Sequence, residues 1–388
     1  MRAGDDEDGM RLTARQLNRG TLARQMLLRR EPASVVEAVR RVVALQAQEP
    51  ASPYLALWNR VEDLDPAAVD RAFRDGLIVK ATLMRVTLHA VDATDYPAFH
   101  AAMQPTLRAA RLNDRRFKRT GLTSSDADAM LPEVLDFADR PRTNAEAEAW
   151  LDERLGQTPR PGIWWAYRQY GPFVHAATGG PWAFGLRPSY IAARNHRWPG
   201  EPGEAIGRLA LRYLEGFGPA TVQDFGQFGM IYRSVARDAF RSLVADGSVV
   251  TLEGPNGTEL FDVRDGLLTP EDAAATPRLL PMWDSILLAY ADRSRVIPPD
   301  VRRLVIRSNG DVLPTLLVDG YVAGVWRPVD AGIEVTAFHP LADEAWDGLA
   351  TEAGRLLGFL DSREPSVYRR YARWWIDLPS AEVRVLGR

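Results

Sequence analysis

The sequence contains no cysteine, so it has no disulfide framework, no thiol nucleophile and no cysteine-ligated zinc site. It also lacks any apolar run approaching the roughly 18 residues that a membrane span needs. Residues 1–10 are acidic and have no apolar core, which argues against a secretory signal. We therefore expect a cytoplasmic protein.

The common signatures of cofactor and metal enzymes are missing as well. There is no Gly-x-x-x-x-Gly-Lys phosphate loop, no His-Glu-x-x-His zinc motif and no Gly-x-Ser-x-Gly nucleophile turn. The histidines are scattered without metal-ligand spacing, at His89, His100, His175, His196 and His339. Any enzymatic activity is then expected to proceed without a cofactor, a metal or an activated thiol.

Lysine is nearly absent, because Lys80 and Lys118 are the only lysines among 48 basic residues. Biased genome composition explains a preference for arginine over lysine, yet arginine is also the better bidentate partner for phosphate. The formal net charge of −3 argues weakly against a nucleic-acid partner, but the distribution of charge matters more. One segment is strongly basic, either as a solvated helix face or as a phosphate-facing surface: Arg108, Arg111, Arg115, Arg116, Lys118 and Arg119.

The tripeptide Gln46-Ala47-Gln48 is the most informative feature that the sequence does contain. An apolar stripe over 35–43 predicts an amphipathic helix that runs into the tripeptide and stops before Pro50. In a regular helix the two amides would diverge by roughly 200°, whereas a loosened last turn would let them face one cavity. Neutral amides can orient a water or a sugar but have no proton to give. Chance remains the alternative, since glutamine is common in helices.

Ahead of residue 120 the pattern predicts a disordered acidic tail at 1–10 and an N-terminal helical region at 11–120. Thr13 with Gln16 predicts a capped helix to about Arg29, and Ser34 begins the next helix. Residues 66–75 and 94–118 are also predicted to be helical. The segment Ala81–Val91 is rich in β-branched residues and predicts a strand or an extended core segment.

Two consecutive units then share the pattern of three helices closed by a β-hairpin, which is typical of a winged helix. In the unit at 121–200 the predicted hairpin pairs Phe173-Val174 with residues 182–184. In the unit at 201–268 it pairs 248–252 with 258–263 around a glycine-containing turn. The C-terminal region at 269–388 is predicted to be α/β, with a hairpin at 313–326, a long helix at 342–360 and a basic, aromatic tail that either packs or forms a contact surface.

Most of the chain resembles the AlkZ-like DNA glycosylases. The matching segments are Leu-Gln-Ala-Gln at 45–48 and the stretches at 84–91, 212–225, 279–299 and 316–327. One departure is Phe228, where the family has tryptophan, and the tail after Leu360 has no counterpart. The resemblance implies a helix-rich α+β fold, with tandem winged-helix units forming a C-shaped DNA-binding cleft.

The resemblance also implies excision of guanine alkylated at N7, including guanine in interstrand crosslinks, with Gln46 and Gln48 carrying catalysis. The expected partner is double-stranded DNA with alkylated or crosslinked guanine, bound by a monomer in the cytoplasm at the nucleoid. The candidate DNA-binding residues are Arg85, His89, Arg108, Arg115, Arg116, Arg293 and Arg295. For Arg293 an equal alternative is an internal brace through an ion pair with Asp292 or Asp284.

Two other classes of function remain open at this point. A winged-helix transcription regulator would use one recognition helix, such as 232–245, and would bind one DNA sequence tightly. A damage-binding protein without activity would bind lesions and leave them in place. If the chain is a glycosylase, it could serve either self-resistance beside a natural-product pathway or general repair.

Overall fold

The computed structural model describes residues 11–156, 160–185, 187–195 and 197–387. The acidic tail predicted to be disordered, residues 1–10, lies outside this part of the chain. Within it, buried side chains from the N-terminal, central and C-terminal regions form a continuous hydrophobic core. No helix in these ranges is long and apolar enough to span a membrane.

The N-terminal region begins with two helices whose starts match the prediction. Thr13 and Ser34 each close a capping box, and the first helix ends at Arg24 rather than at the predicted Arg29. The elements in chain order are α1 (Ala14–Arg24), α2 (Val35–Val42), β1 (Leu45–Gln46), α3 (Ser52–Trp58), α4 (Pro66–Arg74), β2 (Ile78–Thr82), β3 (Leu88–Asp92), α5 (Tyr96–Leu112) and α6 (Arg115–Lys118).

The strands β1, β2 and β3 form an antiparallel sheet with β3 in the centre. The segment Ala81–Val91, predicted as a strand or extended core, is not one continuous strand, because a tight turn at Met84–Val86 separates β2 from β3. Arg85 and Val86 have positive φ angles of 54° and 57° in this turn. The register pairs Gln46 of β1 with His89 of β3, which brings the glutamine segment against this turn.

The next region contains α7 (Ser124–Phe137), β4 (Arg142–Thr143), α8 (Asn144–Arg154), α9 (Gly162–Tyr170), β5 (Phe173–His175) and β6 (Ser189–Ala192). The predicted hairpin partner at 182–184 is wrong, since β5 pairs with β6 instead. Trp182 and Phe184 are buried against aromatic rings of the N-terminal region, at 5.2 Å from Tyr54 and 4.9 Å from Phe73 between ring centroids. Packing between regions therefore outweighs the local hairpin signal.

The region at 201–268 has its helices and hairpin in the predicted order, and the hairpin forms around the predicted glycine-containing turn. Its elements are α10 (Pro202–Phe217), α11 (Val222–Gly229), α12 (Arg233–Ala245), β7 (Val249–Glu253) and β8 (Glu259–Val263). The winged-helix identity of both units, their boundaries and the C-shaped cleft stay predictions.

The C-terminal region forms a sheet in the order β13-β12-β11-β10-β9, packed against a long helix. Its elements are β9 (Arg278–Leu279), α13 (Arg302–Val305), β10 (Thr315–Val318), β11 (Tyr321–Val329), β12 (Gly332–Ala337), α14 (Asp343–Asp361) and β13 (Glu382–Leu386). The strand β13 was not predicted, because its pairing with β12 joins residues far apart in sequence.

Two enclosed ion pairs tie the C-terminal half to the N-terminal helices. Arg60 donates two hydrogen bonds of 2.8 Å to Asp284, and both side chains are fully buried. Arg24, at the end of α1, forms the second bidentate ion pair with Asp262 of the strand at 259–263. Removing one partner of such a pair strands a buried charge, so these contacts fix how the regions meet around the glutamine segment.

Candidate active site

The prediction that Gln46-Ala47-Gln48 ends a helix is wrong, because Gln46 ends the strand β1 and Gln48 lies in a bend that follows it. The helix α2 stops at Val42 because Val43 adopts φ 72° and ψ −55°, which a helix cannot continue. Ala47 N–H then donates to the Leu88 carbonyl at 2.8 Å. Ala47 is buried, whereas Gln46 and Gln48 both contribute to the wall of one cavity.

Gln46 and Gln48 line a common cavity of about 540 Å³, within the usual range for small-ligand sites. Its walls come from the β2–β3 turn, α5, α9 and the segments around 283 and 309–311. The lining residues are Gln46, Gln48, Thr82, Val86, Thr87, Leu88, Arg111, Trp165, Arg168, Gln169, His175, Tyr190, Trp283, Asn309, Gly310 and Asp311.

The amide of Gln46 is held at both ends. Its Oε1 accepts from Nη2 of Arg85 at 3.1 Å, and its Nε2 donates to Oγ1 of Thr87 at 3.2 Å. The Thr87 hydroxyl in turn donates to the Met84 carbonyl at 3.1 Å. Because a guanidinium can only donate, the oxygen of Gln46 must face Arg85, and the amide orientation is fixed.

His89 lies beneath Arg85 and is fully buried. Its Nδ1–H donates to the Thr87 carbonyl at 3.1 Å, while its Nε2 accepts from Nη2 of Arg85 at 3.2 Å. Burial, reinforced by the Arg85 charge, lowers the pKa of His89 well below its usual range. His89 is therefore a neutral acceptor that holds Arg85, and it has no exposed surface with which to contact DNA.

Arg85 also donates to the Phe228 carbonyl at 3.2 Å, and burial lowers its pKa to about 10. Its guanidinium lies 5.5 Å from the Phe228 ring centroid, so the departure from the family tryptophan falls on a residue next to the site. Arg85 thus links Gln46 to the end of α11 rather than presenting a free charge.

Gln48 differs from its neighbour because it is exposed and its amide makes no hydrogen bond to the part of the chain that is described. An unengaged primary amide offers two donors and an acceptor to water or substrate. The pair therefore combines one fixed amide with one free amide on the same cavity wall.

Another part of the cavity wall is cationic and aromatic. The ring centroid of Trp165 lies 5.1 Å from the guanidinium of Arg111, and 4.9 Å from that of Arg116, which is outside the lining residues. Arg168 is oriented by acceptors at Asn144 Oδ1 and the Tyr190 hydroxyl, each at 2.9 Å. Arginine beside tryptophan suits both phosphate contacts and base stacking.

Some of the residues with positive φ angles line or adjoin this cavity. Val86 and Trp283, which both line it, have positive φ angles of 57° and 55°, and Arg85 and Val43 adjoin it at 54° and 72°. Such conformations cost on the order of 1–3 kcal/mol each and cluster at functional sites. The indole Nε1 of Trp283 donates to the Gly310 carbonyl at 2.9 Å, which stabilises one of these residues.

The other predicted DNA-binding residues lie outside the cavity. Arg108 pairs with Asp128 on the surface, and Arg115 is exposed on α6. Arg295 donates to the Pro219 carbonyl at 2.8 Å and lies 4.1 Å from the ring centroid of Tyr290, so it braces a loop. The alternative ion pairs for Arg293 do not form.

Arg293 is partly buried, and it has no anionic partner among the residues that the structure describes. Asp284 is engaged by Arg60, and Asp292 accepts instead from the Ser294 amide at 2.9 Å. Burial and the neighbouring charge of Arg302 lower the pKa of Arg293.

Trp165 and Asp311 were not among the predicted site residues. A groove of about 560 Å³ lies between α12, which falls within the candidate recognition helix at 232–245, and the β7–β8 hairpin. Arg233, Arg237 and Arg241 line this groove at a spacing of four residues, a signal that was available in the sequence. No group of three or more acidic or histidine side chains within the described ranges is arranged to hold a metal ion.

Lys80, one of the two lysines, is almost fully buried in β2 and does not line the glutamine cavity. Its ammonium lies 4.5 Å from the ring centroid of Phe184, and burial lowers its pKa to about 8. Lys118 is exposed on α6.

Comparison with known proteins assigns the family. A model of the family described as "DNA glycosylase AlkZ-like" matches residues 39–359. The interstrand DNA cross-link repair glycosylase of Streptomyces sahachiroi is 28% identical over 349 residues, covering 85% of this chain and 91% of that protein. The solved structure of Streptomyces sahachiroi DNA glycosylase AlkZ shares the fold, with a TM-score of 0.74 and 23% identity over 90% of this chain and 96% of that one. The chain belongs to the AlkZ-like DNA glycosylase family.

Proposed function

We propose that the protein is a monofunctional DNA glycosylase that hydrolyses the N-glycosidic bond of N7-alkylated guanine, including guanine joined in interstrand crosslinks. The observation that carries the proposal is the pair of neutral amides on one cavity wall in a chain of this family. No cofactor takes part.

The lesion makes a strong acid unnecessary. Alkylation at N7 places a positive charge on the purine, so the C1′–N9 electron pair leaves with the base and neutralises it. A water oxygen then bonds to C1′, and one of its protons passes to solvent. The protein has to position this water and stabilise the developing sugar cation.

The two glutamines divide these tasks. Gln48, with a free amide, accepts a hydrogen bond from the attacking water through its carbonyl oxygen and orients the lone pair of the water toward C1′. Gln46 is held by Arg85 and Thr87, so its carbonyl dipole is already in place and no reorganisation is needed during the reaction. Without a carboxylate in this pair, uncharged bases should react poorly.

The cationic wall supplies the DNA contacts. Arg111 and Arg116 lie against Trp165, and Arg168 lines the same cavity, so these three arginines would bind the phosphates flanking the lesion. The α12 groove and the partly buried, unpaired Arg293 would extend this phosphate contact along the duplex. A crosslinked guanine cannot be extruded freely, so we infer that it reacts in an open cleft rather than in a deep base-flipping pocket.

A release assay tests the proposal. Duplex DNA with one N7-methylguanine is incubated with enzyme in excess, and the freed base is quantified together with the abasic strand. We expect free 7-methylguanine and an intact abasic site, with little release of hypoxanthine from a matched duplex. A crosslinked duplex should resolve into separate strands after heating.

Two other outcomes would each favour a different class of function. Tight binding of one undamaged sequence without base release favours a transcription regulator. Selective binding of N7-methylguanine DNA without release favours a damage-binding protein.

Substitution of Gln104 by alanine is the matched control for the glutamine variants, because Gln104 lies on α5 outside the residues that line the cavity.

A further inference from the structure

We propose that Asp311 supplies the negative charge that stabilises the sugar cation during base release. The inference rests on the proposed glycosylase function and extends it, because two neutral amides offer only dipoles to a centre that develops a full positive charge. Asp311 acts by its charge alone, and water remains the nucleophile.

Asp311 is placed for this role by the segment 309–311, which forms part of the cavity wall shared with Gln46 and Gln48. It is the one carboxylate among the lining residues in the described part of the chain. Its side chain is 14% exposed, so the carboxylate is largely shielded from bulk water yet reaches the cavity. A charge in such a position acts more strongly than one in free solution.

The carboxylate is fixed through one oxygen and leaves the other available. Oδ2 accepts from the indole Nε1 of Trp374 at 2.7 Å and from Nδ2 of Asn309 at 2.9 Å. No hydrogen bond to Oδ1 is formed within the described residues. Arg373 approaches Oδ2 at 3.6 Å, but its side chain is 60% exposed, so solvent screens much of that charge.

The direction of charge movement explains why a carboxylate near the sugar helps. In the ground state the positive charge lies on the purine, and as the C1′–N9 bond breaks it moves to the sugar. An anion near the sugar therefore stabilises the transition state more than the bound substrate, which is the condition for faster chemistry. Because Asp311 is held in advance, its alignment costs nothing at that moment.

Trp374, one of the two residues that hold the carboxylate of Asp311, belongs to the C-terminal tail, beyond the residues 39–359 that match the family. The same tail reaches Glu49, next to Gln48, through a 2.7 Å hydrogen bond from the Tyr371 hydroxyl and an ion pair with Arg370. The tail thus braces the cavity on two sides. In this scheme Trp374 is a positioning residue for Asp311.

A binding experiment tests the role of Asp311 without requiring turnover. Affinity is measured for two duplexes, one with a cationic pyrrolidine analogue of the abasic sugar and one with neutral tetrahydrofuran at the same position. We expect the wild-type protein to prefer the cationic analogue. Asp311→Asn, which retains an acceptor for Trp374, should reduce that preference by about 10- to 100-fold, equal to about 1.4 to 2.7 kcal/mol.

Controls separate charge from structure. Asp347→Asn removes an exposed carboxylate on α14 and should leave the preference unchanged. Trp374→Phe should reduce it by less than Asp311→Asn, because Asn309 still holds the carboxylate. Affinity for the tetrahydrofuran duplex and the melting temperature should stay at wild-type values in all three variants.

A persistent cationic preference in Asp311→Asn would overturn the proposal, and so would equal losses on both duplexes or no preference in the wild-type protein. The binding result is independent of base release. If the wild-type protein releases no 7-methylguanine but its cationic preference depends on Asp311, the glycosylase proposal fails while the charged site stands.

Discussion

Replacing the two glutamines one at a time should separate a fixed amide from a free one. Gln46→Ala removes the acceptor of a charged Arg85 donor at 3.1 Å and the donor to Thr87 at 3.2 Å. Leaving a partly buried charged donor unpaired costs about 1–3 kcal/mol of unfolding free energy. Gln48→Ala breaks no hydrogen bond within the described chain and should stay within about 0.5 kcal/mol of wild type.

The effects on rate should not follow the effects on stability. Each lost transition-state interaction is expected to cost roughly 2–4 kcal/mol, on the scale of one oxyanion-hole donor, or about 30- to 1,000-fold in rate. Gln48→Ala should therefore be severely slowed although it is as stable as wild type. The double variant should lose less than the product of the single losses, because residues that position one water act as a unit.

The assay is single-turnover release of 7-methylguanine by each single variant, the double variant and Gln104→Ala, with chemical unfolding measured on the same preparations. DNA affinity should change little, since neither glutamine supplies charge to phosphates. Near-wild-type rates in the double variant would refute the catalytic assignment. Equal destabilisation by both single substitutions would refute the distinction between a fixed and a free amide.

Four further predictions follow from particular contacts. Borohydride should trap no covalent adduct, because buried Lys80 does not line the cavity; an adduct lost in Lys80→Met would contradict a monofunctional mechanism. Affinity for undamaged DNA should fall by about 0.9 log unit per log unit of salt for each phosphate contact, and a flat response would argue against phosphate-dominated binding. Arg293→Ala should weaken DNA binding without lowering the melting temperature, as no ion pair is lost; a large drop in melting temperature would instead support a brace. The pKa of His89 is depressed in the folded state, so the stabilisation by neutral His89 is complete above the unfolded-state pKa. This stabilisation is lost as the pH falls below the unfolded-state pKa, by about 1.4 kcal/mol at one pH unit lower. Denaturant titrations at several pH values would detect the loss.

Local signals in the sequence predicted many of the elements. The capping boxes at Thr13 and Ser34 begin helices as expected, because the side chain and backbone that satisfy each other lie three residues apart. The hairpin around 254–257 also forms where predicted. These interactions are complete within a few residues and need no information about the rest of the fold.

Contacts between distant segments account for most of what was missed. The strand β13 pairs with β12 across the whole of α14, and the ring of Trp182 packs on Tyr54 rather than extending a hairpin. Asp311 gave no signal of its own, since its relation to the glutamines depends on Trp374 and on the path of the C-terminal tail. A single sequence contains these residues without showing that they meet.

The end of α2 is where local prediction failed and where the site depends on the outcome. Had the helix continued, Gln46 and Gln48 would diverge, and only one of them would reach any given cavity. The positive φ of Val43 ends the helix early, and Ser285 Oγ holds the redirected chain by donating to the Ala44 carbonyl at 2.7 Å. A β-branched residue in this conformation is strained, so the tertiary contacts must compensate for it. The spacing of two residues between the glutamines is useful only because the helix ends at Val42 and both glutamines lie in the non-helical segment that follows.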